Sequence, residues 1–401
     1  MDKRRLLPPL LTYCVDNFGL AIVYPIFTPL FLEGSKALFP ADITYFQRTL
    51  LLGLLIASFP LAQLFGAPIF GSLSDRVGRR KIFLVTLIGG TAGYLMTAFG
   101  IHLGKLLPLW GGRALSGLFA GNLTLSLAVA SDAGKEIATR RRYFGYMGVG
   151  AGLSFILAII VGSTLSGPIS QYSFHPDLPF FLAAAFAITA WMAIFFFYRE
   201  REHAPDKDFF RSGLTNLVSA IKNPIARPVY FAFFLFMLAW ATSLQFLSAY
   251  LIKTFNASHT TITITFIGIG LAWALANFAI NPILSRYLHA QKIFLIGALG
   301  LSLALFASLI PQPPALFLIH FIVASFFAGL AWTNSFASIS ISSSAHQQGS
   351  RLGFAQSIGA CAMAIGPIAG GILLGIDIRI LYISNSIAAL LAGLLLFKKS
   401  T

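Results

Sequence analysis

Apolar runs of about 18 to 26 residues, each closed by a short polar interval, recur from one end of the chain to the other, and each is long enough to cross a hydrocarbon core of about 30 Å. The pattern predicts twelve membrane-crossing helices: Leu7–Leu32, Thr49–Ser72, Ile82–His102, Leu106–Ser131, Tyr143–Gly167, Leu178–Tyr198, Val229–Ile252, Thr261–Leu284, Ile293–Ile310, Ala315–Ser338, Leu352–Gly375 and Ile378–Phe397. Several carry Gly and Pro, which membrane spans tolerate. The longest polar interval, Arg199–Pro228, falls near the midpoint, so the expected organisation is an N-terminal six-helix bundle (1–198), a linker (199–228) and a C-terminal six-helix bundle (229–401). Within the linker Phe210, Leu214, Leu217, Val218 and Ile221 recur at helical spacing, which predicts a short helix lying on the membrane surface.

Composition agrees with this pattern. Only 10% of the 401 residues are charged and 57% are hydrophobic, where soluble domains run near a quarter charged. The first segment follows MDKRR as a signal peptide would, but it is too long, holds Asp16 and lacks a small-residue cleavage site, so it is expected to stay as the first helix. Cys14 and Cys361 both fall inside segments, which points to neither a disulfide framework nor a zinc site.

A net charge of +15 raises the question of nucleic acid, and its distribution answers it. With the N-terminus inside, 22 of the 28 Lys and Arg fall on the cytoplasmic side; Lys36, Arg48, Lys105, Lys253 and Arg379 fall outside, and Arg113 lies within a segment. That asymmetry is the positive-inside rule, so the charge sets topology in a lipid bilayer and no nucleic-acid partner is expected.

The halves also resemble each other. Lys81-Ile-Phe-Leu returns as Lys292-Ile-Phe-Leu, 211 residues on, and Phe119-Ala-Gly as Phe327-Ala-Gly, 208 residues on. The near-constant offset predicts parallel six-helix repeats related by a pseudo-two-fold axis, an arrangement that can rock in alternating access.

Between segments 2 and 3 stands GSLSDRVGRRKIF (Gly71–Phe83), with five charges in seven residues. It resembles the cytoplasmic signature of the major facilitator superfamily, G-x-L-x-D-R-x-G-R-R, and the preceding FPLAQLFGAPIF is similar to helix 2 of tetracycline and related drug exporters. The resemblance implies an all-α membrane protein of that fold and a cytoplasmic latch formed by Gly71, Asp75, Arg76, Gly78 and Arg79 with the start of helix 11, at Ser350 and Arg351. On physical grounds Gly71 would admit a neighbouring helix and Gly78 a tight turn, while Asp75 would be stabilised by a helix N-terminus. Arg80 and Lys81 are read as topology determinants.

Ionisable groups within spans cost about 2.5 to 3.5 kcal/mol near the centre, which makes each one a candidate for function. Of the thirteen acids only Asp16 lies well inside a segment, about nine residues or roughly 14 Å into the first. Arg113, with Gly117 four residues on, resembles the family's R-x-x-x-G signature on helix 4. The long Arg side chain could reach Asp16, and such a pair could carry a proton or merely fasten two helices. Asn17, Tyr94, Asn122, Trp240, Gln245, Trp273, Asn277, His320, Asn334, Gln356 and Asn385 are polar or aromatic groups at membrane depth, suited either to a pocket for an amphipathic solute or to helix-packing hydrogen bonds.

Exporters of the family carry G-x-x-x-x-x-G-P-x-x-G-G in helix 5. Here Ala158, Ile159 and Ser163 replace three of its residues while Gly162 is kept; the intact form, Gly366, Pro367, Gly370 and Gly371, stands in helix 11. This leaves uptake open beside export. Gly148-Val-Gly-Ala-Gly152 lies within a segment with no preceding strand and is read as helix packing, and no phosphate-binding loop, HExxH or G-x-S-x-G is present. The expectation is a monomeric, cofactor-free and metal-free secondary transporter, no enzyme, with both termini in the cytoplasm of an inner membrane. It would couple protons to efflux of a drug or metabolite. Movement of an anionic metabolite such as a carboxylate siderophore, and a non-transporting receptor or scaffold, stand as alternatives.

Overall fold

The computed structural model describes residues 6–34, 38–39, 42–133, 137–166, 175–199, 227–310, 313–341 and 348–400. All regular structure among them is helical, and twelve spans are long and apolar enough to cross a bilayer: Leu7–Leu32, Tyr45–Gly71, Arg79–His102, Leu106–Ala130, Tyr146–Leu165, Leu178–Phe197, Arg227–Gln245, Thr260–Leu284, Ala290–Ala307, Pro314–Ile339, Ala355–Ile376 and Ile378–Leu396, numbered here spans 1 to 12. The chain is a multi-pass membrane protein. The expected surface helix of the linker lies outside the described residues.

By residue contacts the chain forms two compact units, Met1–Ile43 with Ser58–Phe209, and Thr44–Ala57 with Phe210–Thr401. Within the first unit span 3 packs on spans 4 and 6, and span 1 on spans 5 and 6; within the second, span 9 packs on spans 10 and 12, and span 7 on spans 11 and 12. The pairing scheme is therefore the same in both. The short sequence matches lie at its joints: a Cβ on Gly89 would sit 2.3 Å from the Phe119 ring, and one on Gly300 2.4 Å from the Phe327 ring, so each Phe of the repeated Phe-Ala-Gly fills the space a glycine leaves on the neighbouring span.

Several spans are broken, and prolines explain only some of the breaks. Pro25 supplies no N–H and crowds the carbonyl four residues back, and span 1 interrupts at Ile22; a wide turn over Leu30–Gly34 follows Pro29. Span 4 is two helices, Leu106–Phe119 and Asn122–Ala133, and span 7 halts at Phe246 before Leu247–Phe255 continues. Span 8 holds a π-turn over Ala276–Ile280, a feature often found where a helix carries function.

Spans 2 and 4 meet backbone to backbone, with added Cβ atoms at 2.1 Å (Gly117 to the Phe59 carbonyl oxygen) and 1.8 Å (Gly66 to that of Leu118). Gly71, expected to admit a neighbour, has nothing within 4 Å of its would-be Cβ among the described residues; the close approach falls further up the helix, at Gly66. Gly117→Val is accordingly expected to destabilise the protein by about 3 kcal/mol, the upper end for overpacking, and Gly71→Val to leave it unchanged. Thermal unfolding of the two purified variants in detergent checks this.

Gly78 does form the tight turn, at φ 105°, a conformation that L side chains rarely adopt. Two residues on, Arg80 donates from Nη2 to the Phe195 carbonyl at 2.6 Å and lies 5.7 Å over the Phe195 ring, capping the C-terminal end of span 6. Beyond topology, this arginine holds the loop to its own unit. The side chains of Asp75, Arg76, Ser350 and Arg351, which the latch needs, lie outside the described residues.

Candidate functional site

The buried centre of the first unit grows out of the break in span 4. Its first half ends where the Ala120 N–H reaches back to Gly117 at 3.1 Å, and the chain turns through Ala120 and Gly121 before helix resumes at Asn122. A helix start leaves N–H groups without intrahelical acceptors and a partial positive charge. One of these, the Leu123 N–H, donates to Asp16 Oδ2 at 3.2 Å. The carbonyl released at Ala120 accepts from Gln63 Nε2 at 3.1 Å, so span 2 completes the break.

Asp16 is 4% exposed. Its second oxygen, Oδ1, accepts from Asn122 Nδ2 at 3.1 Å, and Asn122 Oδ1 in turn accepts from the Thr86 hydroxyl at 2.6 Å. Thr86 Oγ1 also lies 2.8 Å from the Ile82 carbonyl and 3.1 Å from that of Phe83. A file of hydrogen bonds thus runs from span 3 through span 4 to the carboxylate on span 1.

Arg113 is 1% exposed and does not join that file. Nη1 donates to the Gly19 carbonyl at 3.3 Å, and the guanidinium lies 4.6 Å over the Phe59 ring and 5.6 Å over the Phe27 ring. No ion pair joins Asp16 to Arg113, which corrects the direct contact their depths allowed. Tyr94 explains the separation. Its hydroxyl donates to the Val15 carbonyl at 3.4 Å and would touch a Cβ on Gly19, so the ring rests on span 1 between the turn of Asp16 and the carbonyl that Arg113 uses.

Of the residues singled out from sequence, Asp16, Tyr94, Asn122 and Arg113 therefore meet in one region. Thr86, Gln63 and the Leu123 amide are additions. Their signal was slight: Gly121, directly before the restart at Asn122, is a residue type accepted at N-caps.

The second unit is built differently at matching places. Counting from the break in span 1 (Ile22) to that in span 7 (Phe246) gives an offset of 224, which sets Trp240 in the position of Asp16; the Phe119-to-Phe327 offset of 208 sets Phe321 in that of Arg113. Trp240 and Phe321 contact each other, with centroids 6.2 Å apart. Trp240 also stacks on Trp273 at 5.8 Å, Trp273 meets Trp332 at 6.1 Å, and Trp332 meets Phe336 at 5.0 Å. Three of the chain's five tryptophans thus form one ladder across spans 7, 8 and 10. Trp332 was missed from sequence because an aromatic in an apolar run carries no signal of its own.

Polar groups border the ladder. The π-turn of span 8 brings Asn277 against the Thr333 hydroxyl, and Asn334 Nδ2 donates to Asn281 Oδ1 at 2.7 Å. Asn385 Nδ2 donates to Ser243 Oγ at 2.9 Å. At the span 7 break Thr242 Oγ1 and Gln245 Oε1 are buried without hydrogen-bond partners among the described residues. Asn17 donates to its own helix at Tyr13, Gln356 is exposed, and His320 is half-buried with Nδ1 unpartnered among the described residues.

The glycine motifs pack rather than line. A Cβ on Gly162 would meet Pro25 at 2.8 Å, on Gly366 the Thr242 hydroxyl at 2.2 Å, on Gly370 the Phe246 ring at 2.3 Å, and on Gly371 the Thr49 carbonyl at 2.5 Å, while the Pro367 carbonyl lies 2.2 Å from a Cβ on Gly53. Ala158, Ile159 and Ser163, which replace signature residues in span 5, are buried.

Known proteins place this arrangement. The family model described as Major Facilitator Superfamily matches residues 9–289 and 229–401. The class B tetracycline resistance protein of Escherichia coli is 26% identical over 361 residues, 88% of this chain and 84% of that protein. Multidrug resistance protein 1 of Bacillus subtilis is 25% identical over 336 residues, 82% of this chain and 81% of its own. The crystal structure of the human organic anion transporter MFSD10 has the same fold, with a TM-score of 0.74, 22% identity, and 98% of this chain and 99% of that one covered.

Proposed function

This chain belongs to the major facilitator superfamily of membrane transporters and is not an enzyme, and we propose that it exports planar, amphipathic drug-like molecules in exchange for protons. It would work as a monomer in a bacterial-type inner membrane, with both termini in the cytoplasm, as the charge asymmetry favours. The resistance proteins among its relatives support the substrate class. The observation that carries proton coupling is the Asp16 carboxylate, buried, free of a cation partner among the described residues, and held by one fixed and one reversible donor.

The asymmetry of those donors matters. The Leu123 N–H can only donate, so Oδ2 stays an acceptor and an incoming proton goes to Oδ1. A carboxyl O–H there needs an acceptor, and rotation of the Asn122 amide supplies its own Oδ1. Asn122 Nδ2 then faces Thr86, whose hydroxyl turns to the Ile82 carbonyl. The file therefore has two states with every member satisfied, differing by one proton. Loading also cancels the attraction between the carboxylate and the start of the second half of span 4, which gives the proton a mechanical effect on the broken span. In the second unit the same position is Trp240, so the proton is handled by the first repeat and the substrate's rings by the tryptophan ladder of the second.

Proteoliposomes with an acid interior test the reading, with tetracycline and ethidium as probes. Accumulation on imposing the gradient is expected; counterflow without gradient-driven accumulation would reject proton coupling, and absence of any counterflow would leave a receptor or scaffold. Asn122→Leu is expected to lower gradient-driven accumulation by about tenfold, within the usual range of coupling energies, with counterflow kept. A second reading, transport of an organic anion against Arg113, is favoured by the unpartnered Nε of that buried guanidinium and by the fold shared with the organic anion transporter. Counterflow of an organic acid and not of tetracycline would select it.

A further inference from the structure

The positive-inside rule makes basic residues on the face opposite the termini an exception to be explained, and the proposed topology puts five of them there, Lys36, Arg48, Lys105, Lys253 and Arg379. Two of the five converge. A cavity of about 360 Å³ in the second unit is lined by Lys253 and Arg379, with Tyr250, Thr254 and Phe255 from the end of span 7, the chain after span 9, and Ile378 at the start of span 12. Among the described residues neither cation has an ion-pair partner. Asp377, two residues before Arg379, accepts at Oδ1 from the backbone N–H of Arg379 at 2.8 Å.

The cavity is rigidly framed. Tyr250 stacks on Phe317 at 4.5 Å and meets Tyr382 edge-on at 4.9 Å, which fixes its ring. Phe255 packs on both Tyr250 and Phe317. Lys253 is steered from the other side, its ammonium 4.4 Å over the Tyr45 ring. Two cations, three hydroxyl-bearing residues and an aromatic face around one volume match an anionic head on a flat apolar stem, and the volume is at the lower end for ligand pockets.

We propose that this cavity, which shares no lining residue with the buried centre or the tryptophan ladder, is an anion-binding site that takes a small organic anion of one ring or the anionic headgroup of a lipid. Both sources offer the same chemistry, a negative group for Lys253 and Arg379 above an apolar body for Phe255 and Ile378. The site loads independently of the proton site because its cations lie in the other unit and share no hydrogen bond with the Asp16 file.

The test uses the full-length protein in nanodiscs, with labelled p-aminohippurate as the anionic probe and benzyltrimethylammonium as the cationic control. In phosphatidylcholine, Lys253→Gln combined with Arg379→Gln is expected to weaken p-aminohippurate binding at least tenfold and leave the cation unchanged, and Lys253→Arg with Arg379→Lys to retain it. In phosphatidylglycerol, competition with the probe in the wild type, together with loss of co-purifying phosphatidylglycerol in the glutamine variant, identifies the lipid as occupant. No competition identifies the free anion. Equal p-aminohippurate binding and equal lipid retention in wild type and glutamine variant would overturn the proposal, provided the variant keeps its counterflow and so is folded.

Discussion

Asp16→Asn is expected to abolish proton-driven transport while leaving exchange intact. The asparagine fits the same space and still offers an oxygen to the Leu123 N–H, so span 4 keeps its break and the fold is undisturbed. It cannot take up or lose a proton. Gradient-driven accumulation should fall by about 100-fold, near the upper limit of single-site couplings, and counterflow by less than about threefold. The pH dependence of transport should flatten in the same variant, since the group proposed to titrate is gone. Retained accumulation at wild-type rate would place the coupling elsewhere, and loss of counterflow as well would make Asp16 a structural residue.

Trp273→Ala with Trp332→Ala is expected to produce the opposite pattern. Both rings are half-buried, whereas Trp240 behind them is 5% exposed, so truncating the outer pair removes contact surface and does not hollow the core. An aromatic anchor of a binding site is typically worth about 2 kcal/mol or more, so substrate affinity should weaken by roughly 30-fold or more. Substrate-free proton uptake, followed with a pH-sensitive dye, should be unchanged. If this double variant and Asp16→Asn showed the same defect, the division of labour between the two repeats would be wrong. The division itself rests on register: one unit sets a carboxylate and a guanidinium, the other an indole and a phenyl ring, at corresponding points of one architecture.

What the sequence determined is what can be summed along one dimension. Span length and apolarity depend on local composition, so all twelve spans were legible, with ends that shift by a few residues where helices such as Tyr45–Val77 run on past their apolar stretch. Charge asymmetry and the two short repeated motifs are likewise countable, and the Gly78 turn follows from glycine's own freedom. The rarity of intramembrane charge singled out Asp16 and Arg113 because such groups are costly wherever the chain folds. Tertiary structure decided their partners. Whether Asp16 meets Arg113 or Asn122 depends on which residues of spans 3 and 4 arrive beside span 1, and Tyr94, fitted over Gly19, settled it. It also decided where helices break without proline: at Ala120, where Gln63 from another span satisfies the freed carbonyl, and at Phe246, where nothing local marks the interruption. A backbone break is stable only if distant groups take up the hydrogen bonds it releases, and such partners are set by packing, which a linear pattern does not contain.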